Sequence, residues 1–554
     1  MKLSFKNLGL SIGLVSGVVS PVLALGAEDW KKQSIYSVLT DRFATSNVVP
    51  RCNIRLQEYC GGDWSGIQDH LDYIQELGFT ALLISPVVEQ VANSEQSNLG
   101  KSYYGYSYHL NPHFGTEKEL RELSNALHMR GMYLMVDVVI NHMDLQRIDE
   151  IADDEYDSLD EEDYDDETCL VLEDEETNDE DDWAPCEQCN PPDHSIDLIS
   201  LKENLKEYIR SFVKAFKVDG IRIASAKDYP KDFIPTFCEA AGVFCMAESF
   251  SQDAIEICDG QNSIEGLMNY PVQNAARKAF LSSNLNGMVD LSEAMTDIRG
   301  LCRDPLSLGN SVESPDLSRM ASVSSDPAAL KNAIAFLLMG DGIPIMYYGQ
   351  ELALRGVTEP YNRPVFWEKG FPKKNPYYYF TSVVNNFRNA MLNSDNGETF
   401  LSAQSDISLV DSRVMLLQRG DVITVLNNLG SFYIRFHYTV SALEHKWIDI
   451  ITCKSVPVED DRQVFIIHNG DPMILYPEYK TYELGICPSP SIPTEDRFFK
   501  DIDTSFATPV SGPSTSFSST SLDAESAQAS KAPGPKPSTN SIIAALFVSL
   551  IMIL

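Results

Sequence analysis

Basic residues are scarce in this chain. Its 554 residues hold 43 Lys and Arg against 80 Asp and Glu, a formal net charge of -37 at pH 7. That balance excludes nucleic acid and anionic membrane surfaces as electrostatic partners. No Asn-x-Ser/Thr sequon occurs, so a glycan belongs on the Ser/Thr-rich tail rather than on the body of the chain. An even cysteine count is also lacking: with 11 cysteines, at least one thiol stays unpaired.

The acidic residues are unevenly spread. Between Asp149 and Asp182 lie 21 Asp and Glu with no Lys or Arg. This composition reads as a solvated, mobile loop insertion; collecting cations or binding a partner is the alternative reading. The ends carry sorting signals. Lys2 and Lys6 precede an apolar stretch from Leu8 to Leu25, and small residues precede a cut at Ala27. Residues 1–26 therefore read as a secretory signal peptide. Ile542 to Leu554 is a terminal apolar tail of 13 residues, short for a membrane span. Ahead of it come a polar Pro/Lys/Ser/Thr spacer and small residues from Ser526 to Ser530. Small site, spacer and tail together form a glycolipid (GPI) anchor signal. Ser530 is one attachment site, Ala527 and Ala529 compete with it, and 531–554 would be removed on maturation. Passage through the secretory pathway makes the cysteines disulfide formers. The expected destination is the outer face of the plasma membrane or the cell wall.

From Gln33 short apolar runs alternate with amphipathic helical patterns, the mark of βα units. The predicted strands are Ser34–Leu39, Ala81–Pro86, Tyr133–Ile140, Gly220–Ser225, Val243–Glu248, Gly266–Tyr270, Leu308–Ser314 and Ile343–Tyr348. Eight strands with intervening helices predict an α/β fold, a (β/α)8 TIM barrel over 27–142 and 199–398. An acidic small domain, 143–198, is inserted after the third strand. From about Thr399 the pattern turns to strand-like alternation (Val422–Asn427, Tyr433–Tyr438, Val464–His468), an antiparallel β-domain over 399–487. A Ser/Thr/Pro-rich stalk, 488–530, leads to the anchor.

Several segments carry a specific resemblance. Trp30 to Phe43 (WKKQSIYSVLTDRF), Tyr59 to Trp64 (YCGGDW), Met132 to His142 (MYLMVDVVINH) and Asp341 to Glu351 (DGIPIMYYGQE) do so together with four ordered motifs. From about Asp29 to Cys487 the chain resembles a fungal-type α-amylase of glycoside hydrolase family 13. The resemblance implies a barrel, a calcium-binding insertion and a C-terminal β-domain. It also implies retaining glycosidase chemistry, in which one carboxylate attacks and a second protonates the leaving oxygen.

Lys217 to Asp228 (KVDGIRIASAKD) matches the second family motif, with Asp219, Gly220, Arg222 and Lys227 in register. The nucleophile position is Ala224, and the motif's final His is Asp228. A methyl group cannot attack an anomeric carbon. By resemblance Glu248 is the acid/base and Asp316 the transition-state stabiliser, with Pro315 where the family has a sugar-binding His. Tyr106, His142, Arg222, Lys227, Glu359 and Arg363 fall on substrate-binding positions. Arg222, which in the family pairs with the nucleophile, needs another acceptor here, for which Asp316 or a bound anion are the candidates. Calcium donors are expected from Asn141, Asp197 and the backbone carbonyl of Asp228, with Asp181 or Asp182 as a further ligand. The implied disulfides are Cys52–Cys60, Cys169–Cys186, Cys258–Cys302 and Cys453–Cys487. Cys189, Cys238 and Cys245 are left over, and Cys245 reads as a buried thiol.

The expectation is a monomeric, GPI-anchored protein that binds or acts on α-1,4-glucan, with its endo-α-1,4-glucosidase chemistry lost or severely impaired. The alternative is a working α-glucan hydrolase or transglycosylase of cell-wall α-glucan or starch metabolism that recruits another nucleophile.

Overall fold

Eight short parallel strands wrap around a core into which alternate residues of each strand point. This computed structural model describes residues 25–48, 51–56, 59–90, 105–140, 198–224, 226, 232–249, 251–281, 285–431, 435–440, 446–459 and 462–487. The strands are β1 Ile35–Val38, β2 Ala81–Ile84, β3 Tyr133–Val138, β4 Gly220–Ile223, β5 Phe244–Ala247, β6 Gly266–Leu267, β7 Gly309–Asn310 and β8 Ile343–Tyr347. All pair in parallel in the order β6-β5-β4-β3-β2-β1-β8-β7. A parallel bridge from Met268 to Gly309 joins the two edge strands and closes the ring. The barrel expected from the alternation of strand and helix patterns is thus present, each strand lying within its predicted segment.

The strands read as unbroken apolar runs because both faces are covered. Ile35, Leu83, Met135, Met246 and Ile345 share the inner core with Trp30, while Tyr36, Leu82, Leu134, Ile221 and Ala247 pack beneath the helices. Trp30 plugs the barrel so closely that a β-carbon on Gly220 would lie 2.6 Å from its ring. Only glycine fits there. The helices carry their own start signals. Thr116 and Glu119 form a capping box at the head of Glu117–Met129, a helix that buries Leu120, Leu123 and Leu127. Asn375 caps Pro376–Leu392, with proline at its first position.

The C-terminal region forms a six-stranded antiparallel sheet and a three-stranded one. Val425, Trp447, Phe465 and Leu475 from both sheets share a single apolar cluster. Val422–Asn427 is a strand as expected. Of the strand expected at Tyr433–Tyr438, the described part, from Arg435, is a strand that continues to Val440.

Three of the implied disulfides are present: Cys52–Cys60, Cys258–Cys302 and Cys453–Cys487. Cys169–Cys186 and Cys189 lie outside the described residues. A fourth bridge corrects the expectation for Cys238 and Cys245, which are paired rather than left over. The helix Phe233–Ala241 ends in left-handed Gly242 and turns straight into β5. That tight reversal lays the last helical turn against the outward face of the strand and brings the two Cα atoms to 5.8 Å.

Candidate active site

The carboxyl ends of the parallel strands gather the polar residues that sequence analysis singled out. Register sets this geometry. Asp137 pairs with Arg222 across β3 and β4, and Arg222 with Met246 across β4 and β5. By the alternation of strand side chains, Asp137, Arg222, Ala224 and Glu248 are all in phase with the inner core. Ala224 follows β4 directly; its N–H donates to the Val138 carbonyl at 3.0 Å, and the residue is 3% exposed. Glu248 follows β5 and is tied back to the same strand end, its N–H donating to the carbonyl of Ile223 at 3.0 Å.

Around Glu248 the side chains form a closed polar nest. The Arg222 guanidinium grips Asp137 with Nε and Nη2, the latter 2.9 Å from Oδ2. Its Nη1 stands 3.7 Å from Glu248 Oε1. The Tyr270 hydroxyl donates to that same oxygen. The acceptor that Arg222 needs in place of a nucleophile is therefore Asp137, with Glu248 beside it, and not Asp316. A fork-on-fork pair satisfies both ions while they are cut off from water. Burial pushes the Glu248 carboxyl above its ordinary range. Arg222 and the Tyr270 hydroxyl oppose that shift, and the negative charges of Asp316 and Asp137 add to it. A carboxyl so placed holds its proton at higher pH than a surface glutamate, as a general acid must.

A second group lies on the rim. Arg363 is buried and reaches Asp316 Oδ1 at 3.3 Å, and it pairs with Glu359 four residues earlier. Its Nε and the Asn362 amide donate to the Pro315 carbonyl at 3.1 and 2.6 Å. The proline that replaces the expected histidine thus anchors this loop through its backbone. The Asp316 side chain remains 46% exposed. Partial burial raises the Glu359 carboxyl; Arg363 draws it down, and Asp316 pushes it up.

Not every expected residue falls within these groups. Tyr106 lies on the outlying strand Gly105–Leu110, which pairs with Val88–Gln90. His142 and Lys227 lie outside the described residues, as do all three expected calcium donors, Asn141, Asp197 and Asp228. Among the described residues no group of three or more His, Cys, Asp or Glu side chains stands ready for a metal. Two site residues escaped the sequence reading. Asp137 had left a signal, a lone charge inside the apolar run of Met132 to His142. Tyr270 had left none beyond its place just after a strand.

The α-amylase catalytic domain model matches residues 37–406. The Schizosaccharomyces pombe protein "Alpha-amylase mde5" is 39% identical over 474 residues, covering 85% of this chain and 92% of its own. "Alpha-amylase 2" of Schwanniomyces occidentalis is 36% identical, covering 83% and 93%. Among solved structures, an α-amylase from Malbranchea cinnamomea superposes with a TM-score of 0.72 at 33% identity, covering 84% of this chain and 100% of that one. With its closed barrel, its C-terminal antiparallel sheets and these relatives, the chain belongs to the α-amylase family of glycoside hydrolases.

Proposed function

We propose that this protein binds or organises α-1,4-glucan at the cell wall or outer surface, held by a GPI anchor, with endo-α-1,4-glucosidase chemistry lost or severely impaired. One observation carries the reading. At the end of β4, two residues on from Arg222 and in the same inward phase, the side chain is the methyl group of Ala224. Retaining hydrolysis needs a carboxylate there to form the glycosyl intermediate. Removing one member of a catalytic unit commonly costs many powers of ten, about 10⁴–10⁶ in kcat. The rim keeps what a sugar ligand needs, with Asp316 and Glu359 as acceptors and Arg363 fixing their loop.

Glu248 supports the second reading, an active hydrolase or transglycosylase. Its raised carboxyl and its hydrogen bond from Tyr270 suit a working acid. With Oε1 accepting from Tyr270, Oε2 is the oxygen that would carry a proton to a leaving group. On either reading a calcium ion held by Asn141, Asp197 and the Asp228 carbonyl would brace the insertion. Oxygen donors of this kind suit calcium, and chelation should then lower the melting temperature.

The two readings separate in one assay. The secreted form from Ala27 to about Pro488 is incubated with soluble α-1,4-glucan, and new reducing ends are counted, with Glu248→Gln as control. No release, with retention on immobilised glucan, supports a binding protein. Release that the control abolishes supports the enzyme with another nucleophile, and Asp228 is the next residue to change. The absence of both release and retention would refute glucan as the ligand.

A further inference from the structure

One helix touches both halves of the site. Tyr270–Leu281 starts just past β6, and its entry is pinned to β7, where the Asn269 N–H donates to the Gly309 carbonyl at 2.9 Å. Tyr270, Gln273 and Arg277 follow at spacings of three and four residues, so they share one face of the helix. The Tyr270 hydroxyl donates to Glu248. The Gln273 amide donates to the Ser311 hydroxyl, just past β7, at 2.6 Å. Arg277 makes three bonds: Nη1 donates to the Val312 carbonyl at 2.6 Å, and Nη2 to the Ser318 carbonyl at 2.8 Å and hydroxyl at 3.1 Å.

We propose that Arg277 is a positioning residue for Asp316, clasping the two ends of the loop that carries it. The loop leaves the barrel at Val312 and returns at Ser318, with Asp316 between them. All three hydrogen bonds that Arg277 makes among the described residues go to these two ends. A planar guanidinium offers its donors on a rigid fork and so holds both ends at one separation. A lysine ammonium, a point charge on a flexible stem, does not.

Other bonds hold the same loop to the rim. Glu313 accepts from Arg319 Nη1 at 2.9 Å and from the Met320 N–H at 2.6 Å. Arg319 in turn donates to the Asn362 carbonyl at 2.9 Å and to the Tyr348 carbonyl, just past β8, at 2.8 Å. Those contacts tie the loop to Arg363 and its neighbours, but not to Glu248. Arg277 adds that link, because its helix also carries Tyr270. Glu248 and Asp316 are thus registered against one rigid element. Carboxyl groups that act on one sugar must keep a fixed separation, and a shift of about 1 Å in such a group is costly.

The charge of Asp316 makes its position measurable. Burial raises the Glu248 carboxyl, Arg222 and Tyr270 oppose the rise, and the negative charge of Asp316 adds to it. Once the clasp is opened, Asp316 leaves its place and its share of the rise is lost. Removing the Arg277 cation alone acts with the opposite sign, since losing a positive charge favours the protonated carboxyl. Arg277 in this role deepens the glucan-binding reading above, and it rests on that reading only where glucan affinity is measured.

Titration of Glu248 in the secreted form, followed by NMR of isotope-labelled glutamate and assigned with Glu248→Gln, tests the clasp. Asp316→Asn should lower the Glu248 pKa. Arg277→Met should lower it likewise, and the double variant should go no lower. Arg277→Lys keeps the charge but loses the fork; it should shift Glu248 in the same direction, and it serves where Arg277→Met does not fold. An unchanged or raised pKa in the folded Arg277 variants overturns the proposal, as do shifts that add in the double variant. Calorimetry with maltoheptaose gives a second readout. Asp316→Asn and Arg277→Met should each weaken binding about tenfold, and the double variant about tenfold rather than about a hundredfold. Losses that multiply overturn the proposal here too. No binding by the unmodified chain refutes the glucan reading and leaves the Glu248 titration to decide the clasp.

Discussion

Two glutamates at the carboxyl end of this barrel are buried and have raised carboxyl pKa values, yet their surroundings differ. Glu248 shares its nest with a cation, Arg222, a second carboxylate, Asp137, and the charge of Asp316 on the rim. Glu351, a few residues past β8, accepts from two phenols, Tyr36 at 2.8 Å and Tyr73 at 3.0 Å, and feels the charge of Arg319. Burial pushes its carboxyl up to about 7, opposed by hydrogen bonds from Tyr36, from its own backbone N–H and from Tyr73, and by the charge of Arg319. A raised carboxyl therefore does not by itself mark catalysis. What separates the two is the pair of carboxylates, Asp316 and Asp137, that push Glu248 up against the pull of Arg222, whereas Glu351 rises by burial against Tyr36, Tyr73 and Arg319.

The comparison can be sharpened by experiment. The largest effect is expected from Ala224→Asp, which places a carboxylate beside Glu248. Reducing-end release should rise from background by about 10³-fold or more. Unchanged release with glucan retention intact would mean that Asp228 and Pro315 have altered the centre beyond repair by one residue.

Next is Arg222→Met, which leaves Asp137 and Glu248 buried side by side without their cation. Breaking a buried pair in this way costs about 3–5 kcal/mol, to be read as a lowered urea midpoint. A loss below about 1 kcal/mol would show that the nest admits water.

The third contrast lies in pH. The folded pKa of Glu351 is above its ordinary value of 4.5, so its protonated form favours the native state. Stability from this group is full below pH 4.5 and is lost as pH rises through about 7. The loss amounts to about 3 kcal/mol across that window. Glu351→Gln should flatten this part of the stability profile, and an unchanged slope would contradict the assignment. The smallest effect is expected from Tyr270→Phe, which removes one buried hydrogen bond and should lower stability by about 1–2 kcal/mol, read as a lower urea midpoint. An unchanged midpoint would show that water takes the place of the hydroxyl.

The contrast between the two glutamates also marks what was legible in the sequence. The barrel strands could be read because strands buried on both faces leave continuous apolar runs between turn signals. Glu248, Asp316, Glu359 and Arg363 could be located because family motifs hold them in register. The partnership of Arg222 with Asp137 could not, since it depends on which residues of β3 and β4 face each other, a property of the pairing register. The same holds for Tyr270, which reaches Glu248 from the head of the helix that follows β6. The Cys238–Cys245 bridge depends on a helix folding back onto its strand through Gly242, which no count of cysteines reveals. The signal peptide, acidic insertion, calcium donors and anchor are compositional or motif readings that fall outside the described residues.

The central claim, that Ala224 leaves a glucan-binding cleft without its nucleophile, is tested most directly by counting reducing ends released from soluble α-1,4-glucan by the Ala27-to-Pro488 form. The account predicts no release above the Glu248→Gln control, with the protein retained on immobilised glucan. Release that Glu248→Gln abolishes would contradict it.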